Sequence, residues 1–529
     1  MIIVKMKKLL FLFLGFCLII QARNGFSQIT TKDDNAEKYA QYINTADLKK
    51  HLLILASDEY EGRETGFKGQ KMAAEYIQAY FKELGLPPIV NGDSYFQKVP
   101  LSRKTWAEPT ITINGEKFEF LKDFFAYPRT CPEITIDVNQ IAYAGYGVDE
   151  NKYSDFSKIS VKDKVVMVYK GEPRDKRGNY KLSGNDERSK YSSNWRKKID
   201  IAKKQGAKML LIVNKDIEGS VDRFGFMINS NALELDLASD EPSRYVPTIY
   251  ISQEMATKIE GAKSAKFLKK RLKGKSASKI IPLEASINIK KNSTQVFTEN
   301  VLGYIEGSDL KDELVVVTAH YDHIGMNGED VFNGADDDGS GTVAVLEMAE
   351  AFVEAKKNGN GPRRSILIMP VSGEEKGLLG SKYYAANPIF PLEKTVANLN
   401  IDMVGRVDAG HENDKNYVYV IGSDFLSTEL HKINEEVNEH YVGLNLDYKY
   451  NSKTDPNRFY YRSDHYNFAK NNIPIIFYFN GTHADYHQAT DTEEKIEYPV
   501  LEKRSRLVFY TAWHLANMDK RIEVDVEQD

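Results

Sequence analysis

Cysteine is almost absent from this 529-residue chain: only Cys17 and Cys131 occur. Cys17 lies in an N-terminal segment expected to be removed, so one thiol remains and an intramolecular disulfide is excluded. Nothing near Cys131 resembles a Cys–His pair. It reads as a small buried hydrophobe, not a nucleophile. Positive charge is not in excess either. A net charge of -5 gives no reason to expect a nucleic-acid or anionic-membrane partner. Past the N-terminus no stretch reaches about 18 apolar residues, so no stable membrane insertion is expected of the mature chain. Internal repeats and long low-complexity tracts are missing as well. What is present is ordinary for a soluble globular protein, with 42% hydrophobic and 28% charged residues. The length exceeds the roughly 250–300 residues at which one core stops growing, so at least two domains are expected.

The N-terminus reads as a processing signal. Lys5, Lys7 and Lys8 precede an apolar run from Leu9 to Ile20, of secretory-signal length. Gly25-Phe26-Ser27 supplies small residues at -3 and -1, which places cleavage near Ser27–Gln28 and makes residues 1–27 a signal peptide. Leu14-Gly15-Phe16 before Cys17 is a poor lipobox, because bulky Phe16 stands where a small residue is needed. An exported protein, periplasmic or extracellular, is expected.

Residues 29–36 are polar and read as frayed. Thr45-Ala46-Asp47 opens a helix through Leu55. Gly69 to Leu84 forms another, with Ala73, Ile77, Tyr80 and Phe81 on one face, stopped by Gly85. The N-terminal part of the main domain is placed at 36–133. A smaller β-rich insert follows at 134–285, with strands at 164–171, 209–213 and 246–251. Residues 172–198 and 262–279 read as charged loops. From 290 to 520, apolar strands near 300–305, 314–319, 365–371, 396–401, 416–421 and 474–479 alternate with helical segments, including Thr342 to Ala355. This pattern predicts an α/β fold: a mostly parallel mixed sheet sandwiched by helices.

Five metal-type residues fall at or beyond apolar runs of that domain. His320 follows Leu314 to Ala319. Asp337 lies in Gly334-Ala335-Asp336-Asp337-Asp338-Gly339-Ser340-Gly341. Glu375 follows Glu374 after Ile366 to Val371. Asp402 closes Leu399-Asn400-Ile401, and His487 opens His487-Gln488-Ala489-Thr490-Asp491. Ligands of a parallel sheet collect beyond the carboxyl ends of its strands. Two imidazoles and three carboxylates suit two zinc-like ions sharing one carboxylate, and Glu374 is left over to handle protons. A competing reading takes Asp336, Asp338, Ser340, Gly341 and Glu347 as an EF-hand calcium loop. Against it, a strand leads into the region and the helix starts too early. His483 reads as a pocket residue rather than a ligand. His323 points away from His320 if the segment is extended. His465 is expected at the substrate pocket, and His51, His411, His431, His440 and His514 at the surface or in the core.

These segments carry a resemblance. Residues 296–515 resemble the catalytic domain of the co-catalytic zinc aminopeptidase family that includes glutamate carboxypeptidase. The matching motifs are His320-Tyr321-Asp322, the 334–341 loop, Gly373-Glu374-Glu375-Lys376-Gly377-Leu378-Leu379-Gly380-Ser381, Asn400-Ile401-Asp402-Met403-Val404-Gly405, and His487 with Asp491. Residues 40–130, with Glu61-Gly62-Arg63, resemble the family's N-terminal part. The insert resembles a protease-associated domain more weakly, through Gly145-Tyr146-Gly147 and the 164–171 strand. The resemblance implies a zinc exopeptidase fold and two Zn2+ ions, with Co2+ or Mn2+ as possible substitutes. It puts His320 and Asp402 on one ion, Glu375 and His487 on the other, and Asp337 between them. Glu374 becomes the general base, taking a proton from a metal-bridging water and passing it to the leaving amine. Asp322 would orient the His320 imidazole, and Tyr486 would help polarise the substrate carbonyl. The implied activity is aminopeptidase action on peptides. A carboxypeptidase or dipeptidase is the alternative, with Arg462 as candidate carboxylate binder. A one-zinc glutaminyl-cyclase-like transferase and a receptor-like binding protein are disfavoured by the full ligand set.

Overall fold

The computed structural model describes residues 32–527, except 129, 151–152, 195, 229–231 and 237–245. The expected signal peptide lies outside the described residues. The chain divides into two compact units. One runs to Pro100 and resumes at Phe297; the other is Leu101–Val296.

The first unit is built on a seven-stranded sheet. Its strands are β1 (Gly303–Ile305), β2 (Leu310–His320), β3 (Arg364–Val371), β4 (Thr395–Ile401), β5 (Tyr417–Ile421), β6 (Asn445–Asp447) and β7 (Ile475–Phe479). The order across the sheet is β1-β3-β2-β4-β7-β5-β6. The four central strands β3, β2, β4 and β7 run parallel. β1 and β5 are antiparallel to their inner neighbours, so the sheet is mixed, as expected. Every residue of β3, β4 and β7 is buried, the pattern of strands covered on both faces. The pleat sorts the side chains. Val315, Val317 and Ala319 face one core, and Leu314 and Val316 face another.

Helices cover both faces. The first core takes α1 (Asp34–Ala40), α2 (Thr45–Leu55), α3 (Lys68–Glu83) and α4 (Gly341–Lys357). It also takes the long terminal helix α8 (Tyr498–Asn517). The second core takes Tyr384 from α5 (Leu379–Ala386) and Phe468 from α7 (His465–Ala469). Helix α6 (Thr428–Val437) contributes Leu430 and Ile433 to the first core. Residues 34–36, expected to fray, instead begin α1. Asp33 caps the helix by accepting from Asn35 N at 2.8 Å. The same side chain accepts from Trp513 Nε1 at 2.9 Å, and Tyr39 stacks on Trp513. Docking on a helix more than 450 positions away holds a segment too short and polar to be helical alone.

The second unit has an eight-stranded sheet of its own. Val165–Tyr169, Met209–Val213 and Thr248–Ile251 are parallel and fully buried. The unit starts earlier than residue 134. Thr110–Ile113 pairs with Lys279–Ile289, and Phe124–Phe125 pairs with Thr248–Ile251, so the strands within residues 110–125 belong to this sheet, while Leu101–Lys104 pairs with Ala232–Leu235 in a separate one. Part of 262–279, expected as loop, is the helix Ser264–Leu272. It buries Phe267 and Arg271, and Arg271 pairs with Glu260 at 2.6 Å and lies over the Tyr169 ring. The lysine run hid that i, i+4 inner face.

Candidate metal centre

All five metal-type residues converge where the parallel strands end. His320 is the last residue of β2, and Asp402 is the first after β4. The tandem glutamates follow β3, and His487 lies in the loop after β7. Asp337 comes from the loop between β2 and α4. Its two oxygens divide between the imidazoles: Oδ1 is 3.3 Å from His320 Nε2, and Oδ2 is 3.1 Å from His487 Nε2. Asp402 Oδ1 is 3.6 Å from His320 Nε2, and Glu375 Oε2 is 3.4 Å from His487 Nε2. One carboxylate between two His–carboxylate pairs would suit two ions that share it.

The donor set fits zinc on a further observation. His320 Nδ1 lies 3.0 Å from the Asp322 carbonyl oxygen. A carbonyl only accepts, so Nδ1 carries the proton and Nε2 presents a lone pair. That Nε2 is buried with no hydrogen-bond partner, and so is Glu375 Oε1. Buried orphans of this kind ask for a ligand. His320 and Asp402 on one side, Glu375 and His487 on the other, and Asp337 between would hold two ions. Asp338 is also close to His320 and Asp402. Its oxygens, however, are taken by the backbone N–H groups of His320, Gly341 and Met403, so it positions the ligands instead of joining them.

The loop is held from beneath. Asp491 Oδ2 accepts from the N–H groups of Asp336 and Asp337. Asp336 accepts from Gly405 N and Ser340 Oγ. Gly334 sits at φ +53°, where a Cβ would come within 2.5 Å of the His323 ring, so only glycine serves. Arg63 is fully buried and donates to the carbonyls of Leu55, Tyr321, Asn333 and Gly334. It stitches α2, the His320 segment and the Asp337 loop together. Asp336 and Asp338 are thus occupied, and Glu347 lies in α4 beside His51, which leaves no calcium loop.

The tandem glutamates sit in opposite environments. Burial pushes both carboxyl groups up. For Glu375 the imidazoles of His487 and His323 outweigh burial and the Asp337 charge, and hold it well below the usual carboxylate range. For Glu374 the carboxylates of Glu375, Asp402 and Asp464 add to burial, against His320, and push it well above that range. Glu374 Oε2 is 4.0 Å from His320 Nε2. Its own N–H points to Asp322 Oδ1 at 3.3 Å, and Asp322 Oδ2 accepts from Thr65 Oγ1. Asp322 therefore orients His320 chiefly through its backbone; its carboxylate is 3.8 Å from Nδ1.

Tyr486 stacks on His487 at 3.9 Å, and its hydroxyl is 3.1 Å from Arg462 Nη2. Both line a cavity over Asp337 and Glu374 whose apolar wall is Met403, Phe459, Phe477 and Phe479. Two histidine expectations need correction. His465 is buried behind the cavity, stacked on Phe477 with Nε2 bonded to the Tyr460 carbonyl. His323 does not point away: its Nδ1 is 2.9 Å from Glu375 Oε1. The chain leaves the strand geometry after His320, so alternation no longer applies. His483 pairs with Asp336 Oδ2 at 3.1 Å. Asp464, unremarked in the sequence, accepts from Ser381 and is pushed up to about 7, first by burial.

Comparisons with known proteins agree with this geometry. The model of Peptidase family M28 matches residues 300–512. Aminopeptidase YwaD of Bacillus subtilis is 33% identical over 124 residues, 23% of this chain and 25% of that protein. Leupeptin-inactivating enzyme 1 of Streptomyces exfoliatus is 29% identical over 205 residues, 34% of this chain and 42% of that protein. The chain thus spans well under two thirds of these curated relatives. Among solved structures, an aminopeptidase from Aneurinibacillus sp. strain AM-1 shares the fold. Its TM-score is 0.54 at 19% identity, over 93% of this chain and 98% of that one. A zinc aminopeptidase from Bacillus subtilis has a TM-score of 0.51 at 18% identity, over 92% and 99%. Residues 300–512 form a domain that matches Peptidase family M28.

Proposed function

We propose that this chain is a zinc-dependent exopeptidase that removes N-terminal residues from peptides, using two ions. The supporting observation is the pair Glu374 and Glu375, driven to opposite protonation tendencies beside one carboxylate that faces two imidazoles. When bound, zinc would supply a Lewis acid and lower the pKa of its water toward about 7. The protein's own residues do the rest. Glu374, ionised when the metals are bound, takes a proton from the attacking water and returns it to the departing amine. Tyr486, backed by Arg462, stands where it can donate to a substrate oxygen. The apolar wall of Phe459, Phe477 and Phe479 favours an apolar terminal side chain. The B. subtilis relative named an aminopeptidase supports the choice of terminus.

A carboxypeptidase reading has one observation behind it: Arg462, a cation in the same cavity. A peptide panel separates the two. Free peptides should be cleaved, N-blocked ones spared, and C-amidated ones cleaved as well. Loss of cleavage on C-amidation would favour the carboxypeptidase. Export after cleavage near Ser27 belongs to the same reading, and so does a protease-associated character of the insert. N-terminal sequencing of the mature protein from periplasm or medium tests the export; an intact Met1 would sink it.

A further inference from the structure

His323 is completely buried, and neither of its ring nitrogens has a hydrogen-bond partner. Other buried histidines of this chain are not left so. His465 meets the Tyr460 carbonyl, and His51 meets the Tyr76 hydroxyl. A packed core histidine needs at least one such partner. His323 instead aims Nδ1 into the acidic cluster, 2.9 Å from Glu375 Oε1 and 3.9 Å from Asp337 Oδ2. Glu375 Oε1 is itself without a hydrogen bond. The His323 and His487 rings meet edge-on with centroids 5.9 Å apart.

We propose that His323 is a fourth protein ligand of the ion held by Glu375, His487 and Asp337. The inference rests on the two-ion reading above. Two donors each about 2.0–2.2 Å from one zinc lie roughly 3.3–3.6 Å apart at the tetrahedral angle and roughly 2.8–3.1 Å apart at a right angle. The pairs His323–Glu375, His487–Glu375 and His487–Asp337, at 2.9, 3.4 and 3.1 Å, fall between those limits, and His323–Asp337, at 3.9 Å, is wider. Nδ1, the Glu375 carboxylate and the Asp337 carboxylate also lie within 4.8 Å of one another. The backbone keeps the ring there. His323 N donates to the Arg63 carbonyl, and the ring edge lies against Gly334, where a Cβ would collide with it.

The two ions then differ. The Glu375 side has four protein donors: His323, His487, Glu375 and Asp337. The His320 side has three: His320, Asp402 and Asp337. Four-donor zinc sites are closed and three-donor sites keep an open position. Glu374 Oε2 lies 4.0 Å from His320 Nε2, on the side that stays open. The Glu375-side ion should bind tightly, and the His320-side ion should exchange.

Zinc titration of the metal-free full chain against a chromophoric chelator tests this, together with X-ray absorption counting of imidazoles on the loaded wild type. We expect two ions of unequal affinity, and 1.5 imidazoles per zinc, from three shared by two ions. His323→Ala should weaken the tighter ion at least about 100-fold; His323→Gln, of similar size, should do the same. One imidazole per zinc, or folded variants holding both ions with unchanged affinity, would overturn the assignment. His487→Ala separates the two levels. If it loses an ion while the His323 variants lose none, the two-ion reading survives and only this inference fails. If the wild type binds no zinc, both fall.

Discussion

At the scale of single residues, neighbouring carboxylates of one type do different work because their surroundings differ. Glu374 and Glu375 are adjacent, yet one faces carboxylates and the other imidazoles. Glu374→Gln should keep zinc affinity within a few-fold and lower kcat by about 100- to 10,000-fold. Metal analysis beside steady-state kinetics checks it, and retained turnover in a metal-replete variant excludes the role. A second buried pair governs stability instead. His51 Nε2 lies 3.3 Å from Glu347 Oε1, with Asp47 and Lys50 on α2, Tyr76 and Tyr80 on α3, and Glu350 on α4 around them. Burial above all raises Glu347 to about 9, and lowers His51 to about 4. Both are neutral near pH 7. Because the folded pKa of Glu347 is raised, its contribution is full below about pH 4.5 and is lost as pH rises toward 9. Glu347→Gln should therefore gain Tm relative to the parent between pH 6 and pH 9. An unchanged difference across that range would show that Glu347 is ionised in the fold. His51 has the opposite sign: its stability is lost as pH falls from about 6.5 toward 4.

At the scale of elements, the site is assembled by strand ends and then tied by arginines. Arg63 bonds four carbonyls from three segments. Arg504 of α8 bonds the carbonyls of Tyr417, Val404 and Arg406. A buried guanidinium in this position satisfies carbonyls that loops leave open at the sheet's edge. Arg63→Ala strands those carbonyls and should cost roughly 3–5 kcal/mol, read from denaturant midpoints. Arg63→Lys should not restore the loss, because an ammonium cannot reach four carbonyls in a fan. The elements are legible where period and length agree: α2, α3, α4 and strands β1 to β5 and β7 follow from apolar runs. Helices α1 and α8 were not seen. The first is short and polar. The second packs its apolar residues around much of its circumference, which blurs a one-sided stripe.

At the scale of the molecule, each unit carries its own sheet and its own core. Two thermal transitions should appear in calorimetry, one per unit. Zinc stabilises only the unit holding its ligands. At about 1,000-fold over Kd the gain is about 4 kcal/mol. A chelator should lower one transition and leave the other within about a degree. A single transition that moves as a whole would show that the units unfold together.

Only the family resemblance set Glu375 apart from Glu374; the chain by itself determined the candidate ligand types and their place at the ends of apolar strands. Those follow from local rules: buried parallel strands are apolar throughout, and their carboxyl ends point one way. Tertiary structure decided the rest. It turned His323 inward, put His465 behind the cavity, filled Asp336 and Asp338 with backbone N–H groups, and drew the strands within residues 110–125 into the second sheet. Each of these depends on which distant group satisfies a buried polar atom or an unpaired strand edge, and no local pattern carries that information.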